Sequence, residues 1–359
     1  MLRIFIDNKI PFIRGILENY AEVRYFNPSC TLMDVTDYTK EIISQKDLKK
    51  ADILVVRTRT KCTEESLEGS DIKCIVTATI GTDHIDLKYC CNHGIKVFSA
   101  AGCNSGGVVQ YVFTCLYYFA HINHLDLKKK TLGLVGVGNV GSKVAGLGEA
   151  LGFKVMRNDP YKVHEPGIDY YELDELCREC DVISFHVPLT EHTKGMIDNK
   201  FLASLKRRPI IINSSRGDVI EQSSLLSNRD RIGGLILDVW PGEPDLNNEL
   251  LALADIATPH IAGYSLEGKI NGTVMSIRNV AEFAGYEDLK NFSAPSCWYG
   301  SRRQVKLDAN ASQIDICKQF LDAFPVYEID RLLRESPANF ETIRSNYDYR
   351  REICVNFME

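Results

Sequence analysis

No run of about 18 consecutive apolar residues occurs in this chain, so a membrane-spanning helix is not among its expected elements. The most apolar helical stretch, Val108–Ile122, is interrupted by Gln110 and rich in aromatic residues, and it reads as a buried helix. An excess of basic charge is also missing. The formal net charge is -6 and the pI about 5.8, which argues against nucleic acid or an anionic membrane as a partner. The short run Lys128-Lys129-Lys130 reads as a solvated turn before a strand. The opening MLRIFIDNKI has neither the charged start nor the apolar stretch of a secretory leader, so the expected compartment is the cytoplasm. A second cysteine pair at metal-binding spacing is absent too. The twelve cysteines are scattered, and Cys177 and Cys180 sit late in the helical segment LDELCREC with no second pair. We expect reduced thiols and no metal.

What is present is an alternating pattern. At 359 residues the chain is long enough for two or three domains, and its 45% hydrophobic content can fill their cores. Strand-like runs at Arg3–Ile6, Ile53–Arg57, Ile72–Thr79 and Ile95–Ser99 are separated by helix-compatible stretches such as Cys62–Leu67 and Asp86–His93. That order predicts a parallel sheet covered by helices. From Thr131 a stronger alternation begins, with strands expected at Thr131–Val137, Lys154–Asn158, Val182–Val187, Ile210–Asn213, Leu235–Val239 and Ile256–Thr258. Six strands with crossovers predict a doubly wound, Rossmann-type dinucleotide domain. Beyond Ser265, Leu266, Ile270, Val274, Ile277 and Ala281 mark one helical face that stops near Gly285. A turn-rich stretch from Asn291 to Gly300 precedes a last segment with helical patterns at Ile314–Ala323 and Tyr327–Glu335, expected to be a separate unit.

Gly136-Val137-Gly138-Asn139-Val140-Gly141 follows the apolar strand and opens a helix, the context that makes a G-x-G-x-x-G informative. Gly136 allows the tight turn, Gly138 the approach of a pyrophosphate, and Gly141 close packing of helix on strand. Asp159, at the end of the next strand, can accept hydrogen bonds from both ribose hydroxyls and repels a 2′-phosphate, so NAD is the expected cofactor. Arg157 falls inside that strand and reads as a surface pairing residue. Asn139, Val140, Val187 and Ser214 complete the candidate cofactor contacts in this stretch.

Three chemically able residues follow successive strands: Arg216 in INSSRG, Glu243 in DVWPGEP and His260 in TPHIAG. Ligands of an open parallel sheet sit at the carboxyl ends of its strands, so all three are expected at one crevice. Oxidising an alcohol to a ketone needs a base for the hydroxyl proton as hydride leaves the same carbon, and histidine suits that transfer. A carboxylate bonded to the imidazole orients it and favours its protonated form. An arginine can grip a substrate carboxylate with two parallel bonds.

These motifs, in this order, resemble those of the D-2-hydroxyacid dehydrogenases. The resemblance implies that His260 is the acid/base, Glu243 its partner and Arg216 the substrate clamp. It further implies that Asp238 holds the nicotinamide carboxamide and that Gly263 lies against the cofactor. It implies a split, flavodoxin-like substrate domain at 1–100 and 263–286, the NAD domain at 101–262, and a small α+β segment at 287–359 through which a homodimer forms. The segments VRTRTK, TATIGTDHID, SAAGCNSGGVVQYVF and TPHIAGYSLEGK are similar to members acting on a small phosphorylated 2-hydroxy acid. On that likeness Thr58, Thr79 and Tyr264 are substrate contacts, with Thr58 standing where the family usually has serine. Arg57 and Lys61 are our own candidates for the phosphate, since a dianion needs nearby cations. Catalysis would accompany closure of two domains that excludes water. The stretch LTEHTKGMI resembles the family at large, which leaves the acid open. An NAD-sensing dimeric scaffold remains a non-enzymatic alternative.

Overall fold

A computed structural model of the chain describes residues 1–27, 45–162, 165–301 and 304–355. They form two compact units, one from Met1–Asn104 with Glu267–Ser301, the other from Ser105–Leu266 with the described residues after Ser301.

The first unit is a five-stranded parallel sheet of β1 (Arg3–Asp7), β2 (Glu22–Phe26), β3 (Ile53–Val56), β4 (Cys74–Thr77) and β5 (Lys96–Ser99), in the order β2-β1-β3-β4-β5. Strands β3 and β4, ILVV and CIVT, are buried at every position, as continuous apolar strands covered on both faces must be. Period-two alternation divides their side chains. Ile4, Ile6, Val55 and Val76 pack against Ile277, Val280 and Ala281 of the helix Leu266–Ala284, while Phe5, Leu54, Val56 and Ile75 pack against Leu67 and Cys90. That helix ends at Gly285, whose φ of +75° is the left-handed stop its position suggested. Strand β2 was not expected. It is an edge strand that leaves Glu22 and Arg24 in solvent, so EVRYF never forms an apolar run.

The second unit carries β6 (Thr131–Val135), β7 (Lys154–Asn158), β8 (Val182–Phe185), β9 (Ile210–Asn213), β10 (Gly234–Leu237) and β11 (Ile256–Ala257), all parallel, in the order β11-β10-β9-β8-β6-β7. All six strands lie where the alternation placed them. The chain leaves β6 for β7 on one side and returns to β8 on the other, which opens the crevice of a doubly wound sheet beyond the ends of β6 and β8. One face packs on the helix Ser105–Ile122, the other on Leu176, Leu202, Leu225 and Leu250. Cys177 and Cys180 are buried in this second core, and burial pushes the Cys180 thiol up to about 12.

The expected single body at 287–359 is divided between the units, its early part to Ser301 belonging to the first. The helices Gln313–Ala323, Val326–Glu335 and Phe340–Ser345, with the small parallel pair β12 (Lys306–Leu307) and β13 (Cys354–Val355), belong to the second unit. Phe320 and Phe324 enter the core around Phe113, and Asp330 accepts the backbone N–H of Ala257 at 2.7 Å. The junctions fall after Asn104 and Leu266, four residues beyond the expected 100 and 262.

Candidate active site

The three glycines after β6 face three different surroundings. Gly136 has φ +87°, and a Cβ there would meet the His186 carbonyl at 2.6 Å and the Val187 side chain at 2.9 Å, so only glycine fits the turn. Gly141 would drive a Cβ to 2.1 Å from the Gly136 carbonyl, which fixes the close packing of helix on loop. At Gly138 a Cβ would meet nothing within 4 Å. The open space lies where a pyrophosphate is expected. The following helix, Gly141–Ala150, has no side-chain cap at Val140, so no side chain competes for its first N–H groups. Asp159 ties the next strand end to this loop, accepting the N–H of Val137 at 2.9 Å and of Tyr161 at 3.1 Å. Arg157 pairs with Glu149 on the surface at 2.5 Å.

Two polar atoms near the strand ends are buried without partners among the described residues: Ser214 Oγ, beyond β9, and His186 Nε2, beyond β8. Burial pushes the His186 imidazole down to about 4, so it is neutral at physiological pH. An open glycine cradle, an uncapped helix start and an orphaned hydroxyl are the donor set a dinucleotide requires, and the residues present fit one.

The three candidate catalytic residues follow β9, β10 and β11. His260 Nδ1 lies 2.5 Å from Glu243 Oε1, while Glu243 Oε2 accepts the Trp240 N–H at 3.2 Å. Burial pushes the Glu243 carboxyl up, but the His260 bond and charge, the Trp240 N–H and the nearby Arg344 together hold it below its ordinary value. His260 has φ +55°, a left-handed conformation in which a non-glycine residue must be held by its surroundings. The holding group is Asp238. Its carbonyl accepts the His260 N–H at 2.7 Å, and its carboxylate accepts Thr258 Oγ1 at 2.7 Å and the Ile261 and Ala262 N–H groups at 2.8 Å each. Behind it, the Tyr111 hydroxyl lies 2.9 Å from Thr258 Oγ1. Burial lifts the Asp238 carboxyl above its ordinary range, with these donors and His260 opposing the rise.

Arg216 is half-buried, with Nη1 on the Ser215 carbonyl at 2.8 Å and its own carbonyl accepting Asn213 Nδ2 at 2.9 Å. The next residue, Gly217, touches the turn that carries Glu243, since a Cβ there would lie 2.0 Å from the Trp240 carbonyl carbon. Arg216, Glu243, His260, Asp238, Gly263 and Tyr264 therefore share the second unit with the whole glycine loop, including Asn139 and Val140.

The other substrate candidates lie in the first unit. Thr58 and Lys61 are exposed on the turn after β3. Thr79 Oγ1 is 2.7 Å from Thr77 Oγ1, which lies 3.2 Å from Nε2 of the buried His84. Burial, with Lys61 nearby, pushes His84 down to about 4. Arg57 sends Nε and Nη2 to the fully buried Asp7 at 2.9 and 3.1 Å. That fork neutralises a core carboxylate, so Arg57 is set aside as a phosphate ligand. Thr258, Tyr111 and two C-terminal arginines, Arg344 and Arg350, escaped the sequence reading.

Residues 118–262 match the family described as D-isomer specific 2-hydroxyacid dehydrogenase, NAD binding domain. The erythronate-4-phosphate dehydrogenase of Bacteroides thetaiotaomicron is 38% identical across 98% of this chain and 97% of its own. The chain belongs to the D-isomer-specific 2-hydroxyacid dehydrogenase family. A second member, the erythronate-4-phosphate dehydrogenase of Escherichia coli, is 36% identical across 98% of this chain and 92% of its own. Among solved members of the family, the NAD-bound 3-phosphoglycerate dehydrogenase of Entamoeba histolytica superposes with a TM-score of 0.66 at 29% identity, covering 79% of this chain and 96% of its own. The D-lactate dehydrogenase of Aquifex aeolicus, with NAD and lactic acid, gives 0.64 at 28%, covering 82% and 100%. The glycine cradle lies within the matched NAD binding domain, residues 118–262.

Proposed function

We propose that this protein oxidises 4-phospho-D-erythronate to (R)-3-hydroxy-2-oxo-4-phosphooxybutanoate with NAD, a step toward pyridoxal phosphate. The observation that carries the chemistry is the 2.5 Å contact between His260 Nδ1 and Glu243, at the strand ends of a domain that also holds the glycine cradle. Near-full-length likeness to erythronate-4-phosphate dehydrogenases carries the choice of substrate.

With Glu243 accepting at Nδ1, the Nε2 atom of His260 is left as the base for the C2 hydroxyl proton. Glu243 then stabilises the imidazolium that forms, as its lowered carboxyl favours. Arg216 grips the substrate carboxylate and polarises the C2 oxygen. Bound NAD supplies the acceptor for the hydride leaving C2. Asp159 favours NAD over its 2′-phosphorylated form, Ser214, Val187 and Asp238 line the cofactor side, and Gly263 lies against it. Thr58, Thr79, Lys61 and Tyr264 complete the substrate contacts. The enzyme acts as a homodimer formed through its C-terminal segment and works in the cytoplasm; no helix among the described residues is long and apolar enough to cross a membrane.

Absorbance of reduced nicotinamide, measured over a panel of hydroxy acids, tests the reading. The highest kcat/KM should belong to 4-phospho-D-erythronate; a preference for 3-phosphoglycerate overturns the substrate, and inactivity on every acid favours a scaffold. His260→Asn should lower kcat by about 100-fold or more while NADH binding stays intact. Residual activity above about a tenth removes His260 as the base.

A further inference from the structure

Two arginines of the C-terminal segment meet the loop after His260, and they differ in kind. Arg350 is held through its two terminal nitrogens, its buried Nε being unpaired among the described residues. Its guanidinium donates to the carbonyls of Ile261 at 3.2 Å, Ala262 at 2.5 Å, Tyr264 at 3.1 Å and Gly107 at 2.9 Å. Its carbonyl accepts the Leu266 N–H at 2.9 Å, and Ser265 Oγ donates to Glu352 at 2.6 Å. The segment is thereby fastened to residues 261–266, with the short helix Phe340–Ser345 just upstream.

Arg344 lies on that helix and remains partly open. Its guanidinium carbon is 5.7 Å from the centre of the Tyr264 ring, and its side chain is 20% exposed. It pairs with Glu341, three residues back on the same helix, at 3.4 Å, and its Nε is buried with no hydrogen-bond partner among the described residues. Burial works against its charge, while Tyr264, Glu243 and Glu341 keep it firmly protonated. The pair with Glu341 and a hydrogen bond to the Tyr264 side chain still leave the buried Nε of this guanidinium unsatisfied among the described residues.

We propose that Arg344 recognises the phosphate of the substrate, a cation that the C-terminal segment supplies beside Tyr264, four residues past the acid/base histidine. The proposal rests on the phosphorylated hydroxy acid read above as the substrate. Division of labour follows from the charges: Arg216 takes the carboxylate at one end, and a planar fork at Arg344 matches phosphate oxygens with two parallel bonds at the other. A bound dianion offsets the desolvation of the mostly buried guanidinium. Arg350, engaged by four carbonyls, is a positioning residue that fixes the segment.

Initial rates with 4-phospho-D-erythronate and with unphosphorylated D-erythronate, in the wild type, R344Q and R344K, test it. R344Q should lower kcat/KM for the phosphorylated acid by about 100-fold, chiefly through KM, and that for D-erythronate by at least about tenfold less. R344K keeps the charge without the fork and should fall between. Equal losses on both acids, or none on the phosphorylated one, overturn the assignment. Should R344Q fail to fold, R344K decides, an unchanged ratio of the two acids overturning it. A wild type with no preference for the phosphorylated acid defeats the proposed function and this inference with it; a preference that survives in both variants defeats the inference alone.

Discussion

Replacing Gly217 with alanine should impair catalysis through a contact invisible in the motif. A Cβ at this position would lie 2.0 Å from the carbonyl carbon of Trp240, 2.1 Å from its oxygen and 2.5 Å from Pro241 N. Carbon atoms rest about 3.5–4.0 Å apart, so the two loops must separate by about 1.5 Å, and both sides of the contact are backbone. Arg216 is the residue immediately before, and the Trp240 N–H is an anchor of the Glu243 carboxylate at 3.2 Å. The strain therefore moves Arg216, the proposed substrate clamp, against Glu243, proposed to orient the base. A misplacement of about 1 Å costs about 100-fold in rate, and overpacking of this kind about 1–3 kcal/mol in stability. Steady-state kcat/KM for 4-phospho-D-erythronate should fall by about two orders of magnitude. Thermal unfolding should move down by several degrees, and NADH affinity by fluorescence should change little, because the glycine cradle is untouched. A variant whose kcat/KM stays within about threefold of the wild type would refute the claim that Arg216 and Glu243 are registered through this contact.

Gly138→Ala makes the opposite prediction: no protein atom lies within 4 Å of the new methyl, so stability should hold while NADH affinity falls about tenfold or more. Unchanged affinity would place the pyrophosphate elsewhere. Asp52 gives a pH test of the first unit. Burial pushes its carboxyl up, but hydrogen bonds from the Arg3 side chain and N–H and from Lys73 hold it at about 2, against an ordinary 3.8. A depressed folded value contributes stability above 3.8 that is lost as pH falls toward 2. Asp52→Asn should thus cost about 1–2 kcal/mol in urea unfolding at neutral pH, with the gap to the wild type closing in that acid window. A gap that stays constant down to pH 2 would show that the ion pair contributes nothing.

Local patterns determined much of this protein. Apolar runs punctuated by glycine placed all six strands of the second sheet, because a buried parallel strand needs an unbroken apolar run whatever its neighbours. The Gly136–Gly141 loop and Asp159 were legible for the same reason: tight turns and helix starts are set by a few adjacent residues. Arg216, Glu243 and His260 were legible as candidates because each lies a few residues past a strand end, and folding brings Glu243 to His260. Other features depended on which distant segments meet. Strand β2 exists because β1 offers it an edge, not because EVRYF is strongly apolar. Arg57 belongs to Asp7, 50 residues earlier, which no spacing rule connects. The division of the C-terminal segment between two units, and the meeting of Arg350 with the Ile261 carbonyl 89 residues away, follow from side chains finding partners across the folded chain. Periodicity encodes which face is buried; it carries no record of what the face is buried against, and that is decided only when the chain packs.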